Sequence, residues 1–75
     1  MKIISKERLE ELRKSYSAGS RVELLHMDNP YALPAGTKGT VLAVDDIGSI
    51  LVNWDNGSSL KVAYGVDQCR RLEHE

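Results

Sequence analysis

Cysteine occurs once in this chain, at Cys69, which excludes an internal disulfide and any cysteine-based metal cluster and agrees with a reducing compartment. Long apolar runs are missing as well. The opening MKIISKERLEE has only two consecutive apolar residues before charges begin, so it reads as neither a signal peptide nor a membrane span, and a cytoplasmic location is expected. Cations are scarce where a phosphate-binding surface would need them. Residues 22–69 hold two lysines against six Asp and Glu, whereas residues 1–21 hold six Lys and Arg against three Glu. Phosphate backbones require several convergent cations, so nucleic acid is disfavoured as a partner of the acidic middle. There is no internal repeat and no low-complexity segment.

A catalytic frame is also lacking. His26 and seven serines are present, but no G-x-S-x-G elbow holds a nucleophile. Asp45 and Asp46 are adjacent at a strand end, where neighbours point to opposite faces, so they suit a solvated turn better than a two-carboxylate catalytic pair. His26 and Asp28 alone are too few ligands for a metal site. The expectation is a non-enzymatic protein with no cofactor and no metal.

What the chain has is 75 residues, 41% apolar and 28% charged, the balance of one small globular domain. A domain of this size buries only roughly 60% of its unfolded surface, so the core is thin. Residues 5–16, SKERLEELRKSY, read as an amphipathic helix. Ser5 is its N-cap, Glu7 lies near the positive end, and Arg13 and Lys14 lie near the negative end. Ile4 can staple against Leu9, and Leu9, Leu12 and Tyr16 form a narrow apolar stripe. About three turns of helix are marginal alone in water, so the helix must dock on its own domain or on a partner chain.

From Arg21 onward the period changes to short β-rich runs separated by turn residues. RVELLH, TKGTVLAVDD, SILVNW, SSLKVAY and CRRLE read as strands, with Gly39 at a bend or bulge in the second and a 3₁₀ turn at GVDQ before the last. MDNPYALPAG is a long loop stiffened by Pro30 and Pro34. The order predicts a mainly β fold, a five-stranded SH3-like barrel (residues 18–75) preceded by one short N-terminal α-helix (residues 1–17).

The segment WDNGSS between the third and fourth runs has a register that parity decides. A two-residue Asn-Gly turn would put Leu60 and Val62 on the face of Asn53 and Asp55, leaving neither face apolar. A three-residue turn with Gly57 in the left-handed region pairs Trp54 with Ser58, Val52 with Leu60 and Ile50 with Val62. One face is then apolar, with Trp54 directed inward and Asn53, Ser59 and Lys61 on the wet face. Asp55 is expected to cap its own turn.

In its VxWDNGS…Y..G spacing, GSILVNWDNGSSLKVAYGVD resembles the mind bomb/Herc2 domain, an SH3-like module of eukaryotic ubiquitin ligases that binds peptides. The longer run from Arg21 to Gln68 resembles a family of small, uncharacterised domains of bacteria, phages and mobile elements, whose loop reads HM.DPY.P.PGTKGTV. Here Ala32-Leu33 and Ala35 replace usual prolines, which leaves the loop freer. That resemblance implies a phage or mobile-element setting and, for a phage gene, the host cytoplasm.

In SH3-like barrels the long loop, the turn between the second and third strands and the 3₁₀ turn flank one groove. Here they supply Tyr31, Asp46 and Tyr64, with His26 and Asp28 at the start of the loop. Tyrosines offer a rigid apolar face with a hydrogen-bonding tip, and Tyr31 between two prolines is pre-organised. The leading expectation is therefore a binding module for a peptide or protein surface, with self-association through the helix as an option. A second reading is an anti-defence protein that inhibits a host immune protein or sequesters a nucleotide signal through Tyr31, Tyr64 and Arg70-Arg71. The third is nucleic-acid binding through Arg8, Arg13, Lys14 and Arg21.

Overall fold

In the computed structural model, which describes residues 3–73, helix α1 (Lys6–Ser15) begins at the cap that the sequence specifies. Ser5 Oγ accepts from the Arg8 amide at 3.1 Å, satisfying one of the free donors of the first turn. Leu12 is buried in the core, and Ile4, Leu9 and Tyr16 pack against it half-buried. The helix docks on its own domain. Arg13 reaches Asp46 at 2.8 Å and the Val44 carbonyl at 3.4 Å.

Strands β1 (Arg21–His26), β2 (Lys38–Val44), β3 (Ile50–Trp54) and β4 (Gln68–Leu72) form one antiparallel sheet in the order β3-β2-β1-β4. Register is set by alternation: Val22, Leu24, Val41, Val52 and Trp54 all point inward and are almost wholly buried. Bulges interrupt the ladders between Leu24 and His26 and between Val41 and Ala43, which leaves Leu25 and Leu42 exposed. The expected bulge at Gly39 is therefore displaced. Gly39 pairs in register with Trp54 and serves close packing instead.

Among the described residues the expected five strands reduce to four, and β3 and β4 do not pair, so the sheet is open and the barrel is not closed. The segment read as strand SSLKVAY keeps a single bridge, Ile50 to Val62, plus the bond from the Trp54 amide to the Ser58 carbonyl at 3.0 Å. Between them, the proposed Val52–Leu60 pair is absent for a physical reason. The Leu60 carbonyl accepts from the Trp54 indole N–H at 2.7 Å, and the Leu60 amide donates to Ser58 Oγ at 3.3 Å. Burying an indole requires an acceptor, and here the Leu60 carbonyl supplies it in place of a ladder bond. At the other edge, the end of α1 lies against β4, with Tyr16 Oη donating to the Cys69 carbonyl at 3.4 Å and Arg71 to the Ser15 carbonyl at 3.2 Å.

The hairpin turn has the three-residue form. Gly57 has φ +92° and its amide donates to the Trp54 carbonyl at 2.9 Å. A methyl group there would meet nothing within 4 Å, so only the backbone conformation opposes it. Gly57→Ala is expected to lower stability by about 1 kcal/mol in a denaturant titration; an unchanged midpoint would contradict the turn. Asp55 does not cap this turn. Asn56 Oδ1 accepts from the Ser58 amide at 3.0 Å, while Asp55 forms a bidentate pair with Arg21, at 2.8 and 2.5 Å, across the sheet. A guanidinium two strands away outcompetes a local amide because both carboxylate oxygens are matched at once. That pair holds the Asp55 carboxyl below its usual range.

Candidate functional site

Two turns lie beside α1, and the long loop between β1 and β2 is tied to one of them. The loop between β1 and β2 is pinned by its own side chains: Met27 is buried, Leu33 packs on the core, and Thr37 Oγ1 donates to the Pro34 carbonyl at 2.7 Å. Asn29 accepts from the Tyr31 amide through Oδ1 (2.7 Å) and from the Ala32 amide through its carbonyl (2.9 Å), a turn that Pro30 pre-sets. Tyr31 stands on this turn 80% exposed. In the turn between β2 and β3, Asp45 Oδ1 accepts from the amides of Ile47 (3.2 Å) and Ser49 (2.8 Å), leaving Asp46 to face outward toward Arg13.

The other turn spans residues 63–67. In place of the expected 3₁₀ turn, the Ala63 carbonyl accepts from both the Val66 and Asp67 amides, at 3.2 and 2.9 Å. Asp67 closes it and does more. Its Oδ2 accepts from the Ala63 amide at 2.9 Å and its Oδ1 from the Asp28 amide at 2.7 Å, so one carboxylate clasps the long loop to this turn.

Tyr64 divides the surface here into two hollows. The larger, about 400 Å³, is lined by Arg8 and Leu12 of α1, by Tyr16 just after it, and by Tyr64, Asp67 and Gln68. The smaller, about 290 Å³, is lined by Ile3, Ile47, Tyr64 and Val66, with Asp46 among its lining residues. Ile47 and Val66 are 67% and 50% exposed, so this hollow is an apolar patch open to solvent. Of the residues chosen from sequence, Tyr64 and Asp46 come together here. His26, Asp28 and Tyr31 line neither hollow, although Asp28 joins the rim through Asp67.

Cys69 lines the larger hollow, but burial pushes its thiol from the usual 9.0 up to about 11. It stays protonated and unreactive at neutral pH. A group whose folded pKa is raised stabilises fully below its unfolded value and loses that contribution as pH rises through the folded value. Stability is therefore expected to fall between pH 9.0 and about 11, less steeply in Cys69→Ala, as followed by denaturant midpoints across that range. Equal slopes in the two proteins would contradict the buried thiol. The Tyr16 phenol is also raised, chiefly by burial and further by Cys69, with Arg71 and Arg8 opposing. Among the described residues no group of three His, Cys, Asp or Glu is placed to hold a metal ion, and no helix is long and apolar enough to cross a membrane.

A family model matches residues 5–72, from the cap of α1 to the last residue of β4, and its description is "Domain of unknown function (DUF4314)". The chain belongs to the DUF4314 family. No curated protein and no solved structure matches it. In this DUF4314 domain the hollow-lining residues that sequence reasoning missed are Ile47 and Val66, which lie within turns, and Tyr16, read as helix core; Arg8 was singled out there only as a nucleic-acid contact. The available signal was an apolar residue inside each polar turn, Asp-Ile-Gly and Gly-Val-Asp, where solvent exposure is the rule.

Proposed function

We propose that this domain is a non-enzymatic binding module whose contact surface is centred on Tyr64 and recognises a segment of another protein. The observation that carries this reading is the exposed apolar hollow of Ile47, Tyr64 and Val66 beside a loop held rigid by the Asp67 clasp. Solvent-exposed apolar groups on a pre-organised frame lower the ordering cost of binding. In fold terms we read the open sheet as a relative of the SH3-like barrel. The order of strands and loops supports that reading, as does the segment 58–62, held at β3 by three attachments where the fourth strand of a barrel would run.

A phage or mobile-element origin, implied by the sequence resemblance, suits a compact protein that acts by occupying a host protein, including a defence protein. Sequestration of a nucleotide is less well supported. Arg70 is paired with Glu23 at 2.6 Å, Arg71 with the Ser15 carbonyl and Glu73, and neither lines a hollow with Tyr64 or Tyr31. For nucleic acid, Arg8, Arg13 and Arg21 each face a carboxylate.

The test is affinity capture from a bacterial lysate with the wild type, Tyr64→Ala and Val66→Asp, each checked for an unchanged melting temperature. Prey retained by the wild type and lost by both variants is the expected result. Identical prey for all three proteins would overturn this placement of the surface.

A further inference from the structure

We infer that residues 58–62 form a strap with two hydrogen-bonded states. In one the Leu60 carbonyl serves the Trp54 indole, as described. In the other Leu60 pairs with Val52 and the strap zips onto β3 as a fifth strand.

The register permits the change without a slide. At one end of the strap the Trp54 amide donates to the Ser58 carbonyl at 3.0 Å, and at the other Ile50 and Val62 exchange two amide bonds, each 2.9 Å. Both segments spend the same number of residues between these anchors, so Val52 and Leu60 stand opposite each other. Hydrogen-bonded pairs in an antiparallel ladder recur at every second residue, and theirs is the pair that is missing. Zipping the strap therefore requires only a local rotation at Leu60, with both anchors kept.

The polar groups here cannot all be satisfied in either state. As described, the Leu60 carbonyl accepts from the indole at 2.7 Å, and the Leu60 amide donates to Ser58 Oγ at 3.3 Å. Val52 shares its parity on β3 with Ile50 and Trp54, so its amide and carbonyl point toward the strap. Among the described residues neither has a partner there. Val52 is 1% exposed, so bulk solvent does not serve them. Zipping would pair all four backbone groups of Val52 and Leu60, and would take the acceptor from the indole of Trp54, which is just as buried. The Ser58 hydroxyl, on a half-buried residue, can turn to water. Two unpaired backbone groups in one state thus stand against one unpaired indole donor in the other. Penalties of the same kind on both sides keep the two states close in free energy.

The strap runs into the wall of the larger hollow. Ile50 and Val62, the anchor pair at its far end, line that hollow, as do Ala63 and Tyr64, the next residues along the chain. The state of Leu60 and the shape of that wall are therefore coupled through a contiguous two-state element. As a control on docking, this coupling rests on the reading of the surface around Tyr64 as a contact surface; the two states of the strap do not.

The test is NMR on the intact labelled domain. Trp54→Phe removes the competing donor. A scalar coupling across a Val52–Leu60 hydrogen bond should then appear, and the Val52 amide should exchange with solvent about fivefold more slowly relative to those of Leu51 and Asn53 than it does in the wild type. Ser58→Ala lies outside the core and releases the Leu60 amide, so it should slow Val52 exchange in the same direction and carries the test if Trp54→Phe does not fold. Its resonance shifts should reach Ala63 and Tyr64 and spare Asn29 and Tyr31. Val52 exchange unchanged in the folded variants would overturn the inference and leave the binding reading standing. Zipping without shifts at Ala63 and Tyr64 would overturn the coupling to the surface. Identical prey for all three proteins in the capture experiment would overturn the docking surface and leave the strap in place.

Discussion

Gly39→Ala is expected to lower the stability of the domain by about 3 kcal/mol, near the upper end of what overpacking a core produces. Gly39 lies on β2 directly opposite Trp54 of β3, and an added methyl group would sit 2.6 Å from Val52 Cγ1, 2.9 Å from the Asn53 carbonyl oxygen and 2.9 Å from Trp54 Cε3. None of these neighbours can retreat easily. The Asn53 oxygen is backbone, Val52 is fully packed, and Trp54 is 1% exposed with its indole tied to the Leu60 carbonyl. A chain of this length has roughly 4–11 kcal/mol of stability in all, so the loss is a large share of it. It should appear as a fall in melting temperature of roughly 15 °C. The comparison with Gly57→Ala separates the two roles of glycine, since only backbone conformation opposes a methyl group at Gly57. Gly39→Ala no worse than Gly57→Ala would mean that the indole does not rest on β2 as described.

Asp67→Ala is expected to cost about 2 kcal/mol and to loosen two segments together. Hydrogen bonds to a charged acceptor contribute roughly 1.5–3 kcal/mol each, and here the one to Asp28 is solvent-exposed while the one to Ala63 is part-buried. Asp67→Asn discriminates charge and geometry from mere size. Its single carbonyl oxygen can serve one amide, and its NH₂ group would confront the other donor, so this near-isosteric change should lose almost as much as the alanine. Amide hydrogen exchange at Asp28 and Ala63 should speed up in both variants, because the clasp is what keeps these loops from opening locally. Wild-type stability and protection in Asp67→Asn would remove the clasp from the account, and with it the argument for a rigid loop beside Tyr64.

The parts of the fold that were legible in the sequence are those decided by near neighbours. Ser5, Glu7, Arg13 and Lys14 define α1 through local capping and dipole chemistry, and the helix lies one residue inside each end of the run that those residues delimit. The parity of Ile50, Val52, Trp54, Leu60 and Val62 selected the turn with Gly57 at positive φ. What failed depends on competition for a partner that an alternation pattern or a local role does not record. Alternation in SSLKVAY promises a strand, but alternation cannot reveal that the Leu60 carbonyl is claimed by an indole six residues back. Asp55 has a local role available and a stronger distant one in Arg21, and only the order of β1, β2 and β3 brings the guanidinium within reach.

The surface divides along the same line. Tyr64 and Asp46 share the smaller hollow because the turns that carry them are neighbours in space, as the loop order suggested. Tyr31 is held outward by Asn29 and Pro30 as a local reading of the loop allows, yet it lines neither hollow. Asp67 was read only as part of a turn. Its second bond, to Asp28, joins residues 39 positions apart.

Docking of a partner on the surface around Tyr64 is read out by titrating the isotopically labelled domain with a captured partner segment and following its backbone amide resonances. The largest shifts are expected at Ile47, at residues 63–68, near Arg8 on α1 and at Tyr16 just after it, with those of Asn53, Ser59 and Lys61 on the exposed face of the hairpin unchanged. Shifts centred on the hairpin face, with residues 63–68 unmoved, would contradict it.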